Sequence, residues 1–188
     1  MIYRQDTTAG WVFIVASGVV KSFRDLPSGR RRIATFLFPE DVFGLAENGR
    51  YVNTAQAVTE VRLYRIPFDS LERLLLADSH LQLQFLCKVT HVLRQAQRQK
   101  IVVTRRDAVG RVAMFLSMLE RRVPDAEDTS SIGVPMSRSD MANYLGLSLE
   151  AVSRATAALT RHHTISFVDR HTVRIVDRDR FDELVADV

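Results

Sequence analysis

Three side chains with complementary hydrogen-bonding chemistry recur at helical spacing near the C-terminal end of the sequence. Glu150, Ser153 and Arg154 stand at positions i, i+3 and i+4, which share one side of a helix. A guanidinium can pair with the O6 and N7 atoms of guanine, and a carboxylate can accept a hydrogen bond from the N4 amine of cytosine. The triplet therefore predicts a helix that reads the edges of base pairs. The alternative interpretation is that Glu150 only complements the positive end of the helix dipole.

Two short helices around a tight turn are predicted to carry this triplet. Ser137 can cap the first helix, and Asp140 gives a weak form of the capping box. Gly146 stands where a left-handed residue would end that helix, and Ser148 can cap the next one. Apolar spacing predicts the buried residues Met141, Leu145, Leu149, Val152, Thr156 and Leu159. Two helices joined by a glycine-containing turn form a helix-turn-helix, whose second helix enters the major groove of DNA.

The segment YLGLSLEAVSRA resembles the recognition signature of the FNR and FixK branch of the CRP/FNR family of bacterial transcription regulators, in which E-x-x-S-R occurs. The resemblance implies that Glu150, Ser153 and Arg154 read half-sites of the TTGAT type, arranged as a palindrome. Arg138 matches a family position that contacts backbone phosphate. The DNA-binding residues predicted are Ser137, Arg138, Ser148, Glu150, Ser153, Arg154 and Arg161.

The N-terminal half resembles the regulatory β-roll of the same family. The resemblance lies in VFIVASGVVKSFRDLPSGRRRIATFLFPEDVFGL, with landmarks at Gly18, Gly29 and Gly44. It implies an α+β fold with an N-terminal cyclic-nucleotide-binding-like β-roll, a long dimerisation helix and a C-terminal winged helix-turn-helix. The corresponding domains are residues 1–79, 80–105 and 106–188. The roll is short at its start compared with the family. Either the roll lacks an edge, which predicts an exposed strand edge, or residue 1 is not the native start.

Hydrophobic periodicity along the chain agrees with this organisation. Short apolar segments broken by turns predict an antiparallel roll or barrel from Trp11–Ala16, Val19–Arg24, Ile33–Leu37, Tyr51–Ala57 and Glu60–Ile66. Helices are predicted at Asp69–Leu76, His80–Thr104, Asp107–Arg121 and Asp179–Val185. We interpret Val123–Gly133 as a loop, and we expect a small hairpin, the wing, from Thr164–Val168 and Thr172–Val176.

The helix predicted at His80–Thr104 has two competing apolar stripes. The first has the spacing of a coiled-coil seam and consists of Leu86, Val89, Leu93, Ala96, Lys100 and Val103. The second consists of Phe85, Val89, Val92 and Ala96. One stripe can pack on the roll while the other pairs with a second subunit, which predicts a homodimer through residues 80–105. The alternative is a helix buried only within its own chain, which the charge of Lys100 on the seam favours.

Composition places the chain among globular proteins large enough for two small domains. It has 188 residues, of which 46% are hydrophobic, and no apolar run approaches the roughly 18 residues of a membrane span. The single cysteine, Cys87, excludes an intrachain disulfide, and no signal segment is visible, which points to the cytoplasm. Between Lys88 and Arg122, nine basic residues accompany two acidic ones. This basic belt is either an aid to phosphate binding or a solvated helix face.

No cyclic nucleotide is predicted to bind. The family's cyclic-nucleotide pocket holds the phosphate with an Arg-Ser pair, whereas this sequence has Asn53-Thr54 at that place and Arg50 out of register. Without a cation that faces the phosphate, binding of an anion such as cAMP loses its main interaction.

No metal cofactor is predicted either. Cys87 alone cannot supply the roughly four thiolates of an iron–sulfur cluster. We expect Cys87 to be a buried structural cysteine, with a redox-sensing thiol as the alternative. FixK-type relatives can carry a redox-sensitive cysteine near the DNA-binding helices, where this sequence has Ser137. Haem is not excluded, although His80 and His91 lie eleven residues apart on one helix and cannot both bind one iron.

The sequence therefore predicts a homodimeric, sequence-specific DNA-binding transcription regulator. It is not expected to be an enzyme, since it contains no catalytic-triad order, phosphate loop, zinc-ligand spacing or paired carboxylates. The predicted partners are double-stranded DNA, a second copy of the chain and, by resemblance, RNA polymerase, with no membrane. Two alternatives remain open: a ligand- or haem-gated sensor regulator of the same architecture, and a module that uses the two helices to contact another protein.

Overall fold

The chain folds into two compact units, Met1–Gln97 and Arg98–Val188. The computed structural model describes residues 1–104, 107–123 and 131–186, and it describes the backbone alone at positions 91, 95, 98–101 and 103. Both units contain helices and strands, which confirms the predicted α+β class. None of the described helices is long and apolar enough to cross a lipid bilayer.

The first unit opens with a roll of antiparallel strands. Its strands are β1 (Trp11–Ser17), β2 (Val20–Asp25), β3 (Arg31–Leu37), β4 (Val42–Phe43), β5 (Ala46–Glu47), β6 (Arg50–Tyr51), β7 (Thr54–Ala57) and β8 (Arg62–Pro67). They pair in the orders β4-β1-β8, β3-β2-β7 and β5-β6. Every predicted apolar segment contains a strand and every pairing is antiparallel, so the predicted roll is confirmed. Strands β4 and β5 were not predicted, because two residues show no period.

Aromatic rings fill the centre of the roll. Tyr3 stacks on Tyr51 with ring centroids 3.9 Å apart, and Phe13 stacks on Phe43 at 5.3 Å. Each such pair contributes about 0.5–1.5 kcal/mol beyond the burial of its area. Burial raises the pKa of the Tyr3 phenol well above its usual range, so this ring stays uncharged in the core.

The N-terminal segment covers the strand edge that was predicted to be exposed. The Ile2 N–H donates to the Ala55 carbonyl at 2.9 Å, and the Ala55 N–H donates to the Tyr3 carbonyl at 3.0 Å. Farther along, the Asp6 N–H donates to the Tyr51 carbonyl at 2.8 Å. The expectation of an open edge is therefore wrong for β7, because a segment without a strand pattern supplies its backbone partners.

The only tryptophan of the chain, Trp11, lies at the start of β1. Its backbone N–H donates to the Tyr51 hydroxyl at 3.2 Å, and that hydroxyl donates to the Trp11 carbonyl at 2.9 Å. The Arg65 guanidinium lies 3.9 Å from the centroid of the indole ring, close enough for a cation–π interaction. The backbone of Trp11 and its indole ring are therefore held by residues of the first unit.

Two helices follow the roll: α1 (Phe68–Ala77) and α2 (Ser79–Thr104). On α2, Phe85 packs against a buried cluster from β1, β4 and α1. Leu86 and Leu93, in contrast, are 60% and 59% exposed in this chain. Phe85 of the second stripe therefore packs on the roll, whereas two leucines of the first stripe face solvent. The side chains of Lys100 and Val103, also predicted on the seam, lie outside the described residues.

Cys87 is exposed on α2, so the expectation of a buried structural cysteine is wrong. Cys87 stands between apolar Leu86 and charged Lys88. Because Leu86 itself faces outward, the apolar character of this stretch does not report burial within the chain.

Beyond the end of α2, the described residues of the second unit contain four helices and three strands. They are α3 (Ala108–Glu120), β9 (Ser131–Gly133), α4 (Arg138–Leu145), α5 (Leu149–Arg161), β10 (Ile165–Phe167), β11 (Thr172–Ile175) and α6 (Arg178–Ala186). The strands form one sheet in the order β10-β11-β9. The hairpin of β10 and β11 confirms the predicted wing, and α6 confirms the predicted closing helix.

The interpretation of Val123–Gly133 as a loop is wrong at its C-terminal end. Residues 131–133 form β9, in which fully buried Ile132 stands opposite Val173 of β11 in an antiparallel pair. The short polar stretch gives no strand signal of its own, because its hydrogen-bond partners come from the distant wing. Residues 124–130 lie outside the described residues.

Both helices of the predicted helix-turn-helix begin at the serines expected to cap them. The Ser137 hydroxyl accepts a hydrogen bond from the Asp140 N–H at 3.0 Å. In the same way, the Ser148 hydroxyl accepts from the Ala151 N–H at 3.1 Å. Each cap contributes about 1 kcal/mol and fixes the residue at which its helix starts.

The turn between α4 and α5 is built on a left-handed residue. Gly146 has a φ of 65°, as predicted, and the Leu147 N–H donates to the Ala142 carbonyl at 3.0 Å. From α3, the Arg111 guanidinium donates to the Leu145 carbonyl at 3.0 Å, one of the carbonyls that a helix end leaves without an intrahelical partner. The turn is thus held both locally and by a neighbouring helix, which sets the direction in which α5 leaves it.

Replacing Gly146 tests this turn. Gly146→Ala should lower the free energy of unfolding of the second unit by about 1–2 kcal/mol, because a residue with a Cβ pays that cost in the left-handed region. Space does not cause the loss, since the added Cβ would meet only the Arg111 guanidinium at 3.9 Å. Gly146→Asn should lose less, because Asn tolerates this conformation. Denaturant unfolding followed by circular dichroism measures both variants, and equal losses would contradict the explanation.

Candidate nucleic-acid interface

Helix α5 buries one side and presents the other to solvent. The buried residues are Val152, Ala155, Thr156 and Leu159. At about 100° per residue, Glu150 and Arg154 lie roughly 40° apart on the opposite side. Both side chains are exposed, so the carboxylate and the guanidinium share one accessible face of the helix.

Leu149 does not belong to the buried stripe in which it was predicted. It is 47% exposed, because it is the first residue of α5 and no preceding helical turn covers it. Its exposure places an apolar side chain beside Glu150 at the start of the helix. Leu149 was not predicted from the sequence as a DNA contact. Its position directly after the capping Ser148 was the signal that could have indicated its exposure.

The carboxylate of Glu150 is held in its ionised form. Its own backbone N–H, the Ser148 hydroxyl and the nearby charge of Arg154 lower its pKa, with the backbone hydrogen bond as the largest cause. A fully ionised carboxylate accepts hydrogen bonds and cannot donate them. The start of α5 therefore presents an acceptor at Glu150 and a donor at Arg154.

Ser153 lies on the flank of this face and not at its centre. It is half-buried and lines an open cleft of about 340 Å³ between α4, α5 and the wing. The cleft also contains Arg138, Thr156, Thr160, Arg161 and Phe167. Of the predicted site residues, the structure thus brings Ser153, Arg138 and Arg161 together, and it places Glu150 and Arg154 on the adjoining exposed face.

The tip of the wing is held by one carboxylate. Asp169 accepts from the His171 N–H at 2.6 Å and from the Thr172 hydroxyl at 3.1 Å. These hydrogen bonds lower the pKa of Asp169, and the bond from the His171 N–H is the largest cause. The carboxylate is therefore ionised at neutral pH, and both contacts persist there. The wing strand that carries Phe167 is therefore closed by a turn with a fixed shape.

Two polar residues of the segment in which the family's Arg-Ser pair would fall make hydrogen bonds to the N-terminal segment of the roll. The Arg50 guanidinium donates to the Asp6 carbonyl, and the Thr54 hydroxyl accepts from the Gln5 N–H at 3.0 Å. As for metals, no group of three or more His, Cys, Asp or Glu side chains converges within the part of the chain that the structure describes.

Two family profiles match the two units in order. A cyclic nucleotide-binding domain matches residues 1–78, and a Crp-like helix-turn-helix domain matches residues 110–184. The second profile spans the capped helices, the glycine turn and the wing.

Known regulators resemble nearly the whole chain. It is 35% identical over 179 residues to the nitrogen fixation regulation protein FixK of Azorhizobium caulinodans, covering 94% of this chain and 72% of that protein. It is 34% identical over 189 residues to the transcriptional activatory protein AadR of Rhodopseudomonas palustris, covering 98% of this chain and 77% of that protein. The solved structure of FixK2 from Bradyrhizobium japonicum matches with a TM-score of 0.91 at 33% identity, covering 100% of this chain and 93% of that chain. The chain thus belongs to the CRP/FNR family of transcription regulators, in its FixK- and FNR-like branch.

Proposed function

We propose that this regulator binds a palindromic DNA site of the TTGAT type as a homodimer, with α5 of each subunit in a major groove. The observation that carries the proposal is that Glu150 and Arg154 are both exposed near the start of α5, whose first turn is fixed by the Ser148 cap and by the turn at Gly146. In helix-turn-helix proteins the N-terminal residues of the second helix contact base edges. Two-fold symmetry requires half-sites about one helical turn apart.

Each side chain at the start of α5 has a chemically defined base partner. Arg154 suits the O6 and N7 acceptors of guanine, and ionised Glu150 suits the N4 donor of cytosine. The Ser153 hydroxyl can donate or accept, and exposed Leu149 offers an apolar contact for a thymine methyl group. A TTGAT-type half-site contains each of these partners on one strand or the other.

Backbone phosphates supply most of the sequence-independent affinity for DNA. The N-termini of α4 and α5 present backbone N–H groups, which attract phosphate oxygens. The hydroxyls of Ser137 and Ser148 accept the capping bonds. The Ser137 hydroxyl keeps its own proton to donate to a phosphate, whereas the Ser148 hydroxyl donates its proton to the Glu150 carboxylate. Arg138 follows the first of these serines directly and adds a positive charge.

The outward stripe of α2 supports pairing with a second copy of the chain. Leu86 and Leu93 stand seven residues apart, the period of a coiled coil, and both are more than half exposed in this chain. Burying two such leucines from each subunit against each other removes their apolar surface from water, at about 25 cal/mol per Å². A symmetric dimer would also place two copies of α5 on one palindrome.

We propose that DNA binding does not need a cyclic nucleotide or an iron–sulfur cluster. The hydrogen bonds that Arg50 and Thr54 make with the N-terminal segment support the proposal that no cyclic nucleotide is needed. Family membership also supports RNA polymerase as a partner after DNA binding. Since the proposed partner is chromosomal DNA, the regulator acts in the cytoplasm.

A gel-shift titration tests the central proposal. The purified chain should retard a duplex with a TTGAT-type palindrome at moderate salt, should release a scrambled duplex under the same conditions, and should not change its affinity when cAMP is added. Equal retention of both duplexes would contradict sequence-specific binding. Dependence on added cAMP would contradict the proposal for the roll.

Arg154→Ala should weaken binding by about 1–3 kcal/mol and relax the preference at one base pair in each half-site. The matched control is Arg180→Ala, which removes an exposed arginine from α6 and should leave base preference unchanged. Competition with duplexes altered at single positions measures both. A uniform loss across all sequences would instead identify Arg154 as a phosphate contact.

Glu150→Gln should change which base is preferred, because it replaces an acceptor with an amide that suits adenine. Because the pKa of Glu150 is lowered, the wild-type preference at that base pair should stay constant from pH 8 down to about pH 5. Selection from a randomised half-site measures the preference. An unchanged preference in the variant would show that Glu150 serves only the helix dipole.

Leu86→Glu should convert the dimer into a monomer, because it would place like charges opposite each other on the proposed seam. Gln84→Glu adds the same charge on another side of α2 and should leave the dimer intact. Sedimentation velocity measures the mass of each, and the monomer should also lose affinity for the palindrome. A dimeric Leu86→Glu variant would place the subunit interface elsewhere.

A further inference from the structure

The short hairpin of β5 and β6 contains the one asparagine of the chain that is followed by glycine. This is Asn48, and it precedes Gly49. The other asparagines, Asn53 and Asn143, are followed by a threonine and a tyrosine. Asn48 is exposed, whereas Asn53 and Asn143 are half-buried. One asparagine thus differs from the rest both in its neighbour and in its access to water.

Asn48 and Gly49 form the two-residue turn of this hairpin. Both are left-handed, with φ values of 51° and 73°, and Glu47 pairs with Arg50 across them. Two left-handed residues between paired strands are a type I′ turn, which favours the sequence Asn-Gly. Among the described residues, no acceptor takes a hydrogen bond from the Gly49 N–H, and a Cβ at Gly49 would meet nothing within 4 Å. The turn therefore places a side-chain amide next to an unhindered backbone nitrogen.

This pair of groups can react with each other and then with water. The Gly49 nitrogen gives up its proton to a solvent base and bonds to the Asn48 Cγ atom, and the amide C–N bond breaks to release ammonia. Water then opens the resulting cyclic imide. Opening at Cγ gives aspartate, whereas opening at the backbone carbonyl gives isoaspartate, in which the main chain runs through the former side chain. Glycine permits the attack because it has no Cβ that blocks the approach.

The residues of this turn also hold the N-terminal segment on the roll. The Gly49 carbonyl accepts from the Ala9 N–H at 2.9 Å, and the Tyr51 N–H donates to the Thr7 carbonyl at 3.0 Å. These bonds join the hairpin to residues that have no strand pattern of their own. The shape of the turn therefore determines whether the segment stays in place.

We propose that Asn48-Gly49 is a site of spontaneous deamidation, and that its isoaspartate product releases residues 6–9 from the roll. Isoaspartate adds one methylene to the main chain, and a two-residue turn has no spare residue that could absorb it. The pairing of Glu47 with Arg50 and the bond to the Gly49 carbonyl are then lost. The segment that these bonds hold also covers the edge of β7, so its release exposes unpaired backbone groups. This inference does not depend on the proposed DNA binding.

Peptide mapping tests the site. The purified full chain is incubated in mildly alkaline buffer, both folded and unfolded in urea, and is then digested and analysed by mass spectrometry. In the folded chain, the Asn48 peptide should lose its amide and separate into two acidic forms, while the peptides of Asn53 and Asn143 keep their amides. Enzymatic carboxyl methylation that is specific for isoaspartate should identify the more abundant form. If Asn48 converts in urea but keeps its amide in the folded chain, the proposed site is overturned.

Hydrogen exchange tests the release. After incubation, the wild-type chain should exchange the Ala9 and Tyr51 amide protons faster than before. The matched control is Asn48→Gly, because Gly-Gly also suits a type I′ turn and has no side-chain amide to lose. The incubated Asn48→Gly variant should keep its original exchange rates. Freshly prepared Asn48→Asp, which has the new charge but the normal main chain, should keep them as well.

The outcomes separate the two parts of the proposal. If isoaspartate accumulates at position 48 while both amides keep their protection, the release is overturned and the modification site stands. If fresh Asn48→Asp exchanges as fast as the incubated wild-type chain, the added charge causes the release, and the explanation by the longer main chain is overturned. If incubated Asn48→Gly also loses protection, the loss does not come from Asn48, and the release is overturned.

Discussion

The left-handed turn at Gly146 is the constraint on which the interface depends. A helix can present side chains to a groove only if its axis has a fixed direction, and the direction of α5 is set where α4 ends. The positive φ of Gly146, the Arg111 bond to the Leu145 carbonyl and the Ser148 cap act on successive residues of one short segment. A disturbance at any of these points would move the side chains proposed to contact bases together, because all of them lie on the helix that follows.

Short-range chemistry made much of this unit predictable from sequence. Serine caps, a glycine at a helix end and apolar residues at helical spacing act within a few residues. The structure confirms both caps, the glycine and the predicted apolar residues other than Leu149. The errors came from long-range or boundary effects. Strand β9 depends on a partner in the wing, Leu149 stands at a helix end that no turn covers, and exposed Cys87 lies beside an outward-facing leucine. The cleft needs three elements at once, so no local pattern reveals it.

The second unit has little net charge, and its positive and negative side chains lie on different surfaces. Residues 137–188 contain seven basic and eight acidic side chains, which leaves little net charge. Among the acidic residues, Asp182 pairs with Arg178, which also binds Glu120 of α3, and Asp169 is engaged in the wing turn. Charges are screened over about 8 Å at physiological ionic strength. The charges close to a given surface therefore affect its attraction for an anion more than the net charge of the unit does. The arginines of α5 and the start of α4 therefore present a basic surface on a nearly neutral unit.

The lone indole of the chain offers an intrinsic optical reporter. The Tyr51 hydroxyl bonds to the backbone of Trp11, the Arg65 guanidinium lies over its indole ring, and both partners belong to the roll. Its fluorescence is sensitive to the polarity and charge around the ring, and no second tryptophan dilutes the signal. Tryptophan emission recorded during a DNA titration therefore reports on the roll alone. A change in that emission on DNA binding would show, without an added dye, that the second unit and the roll are coupled.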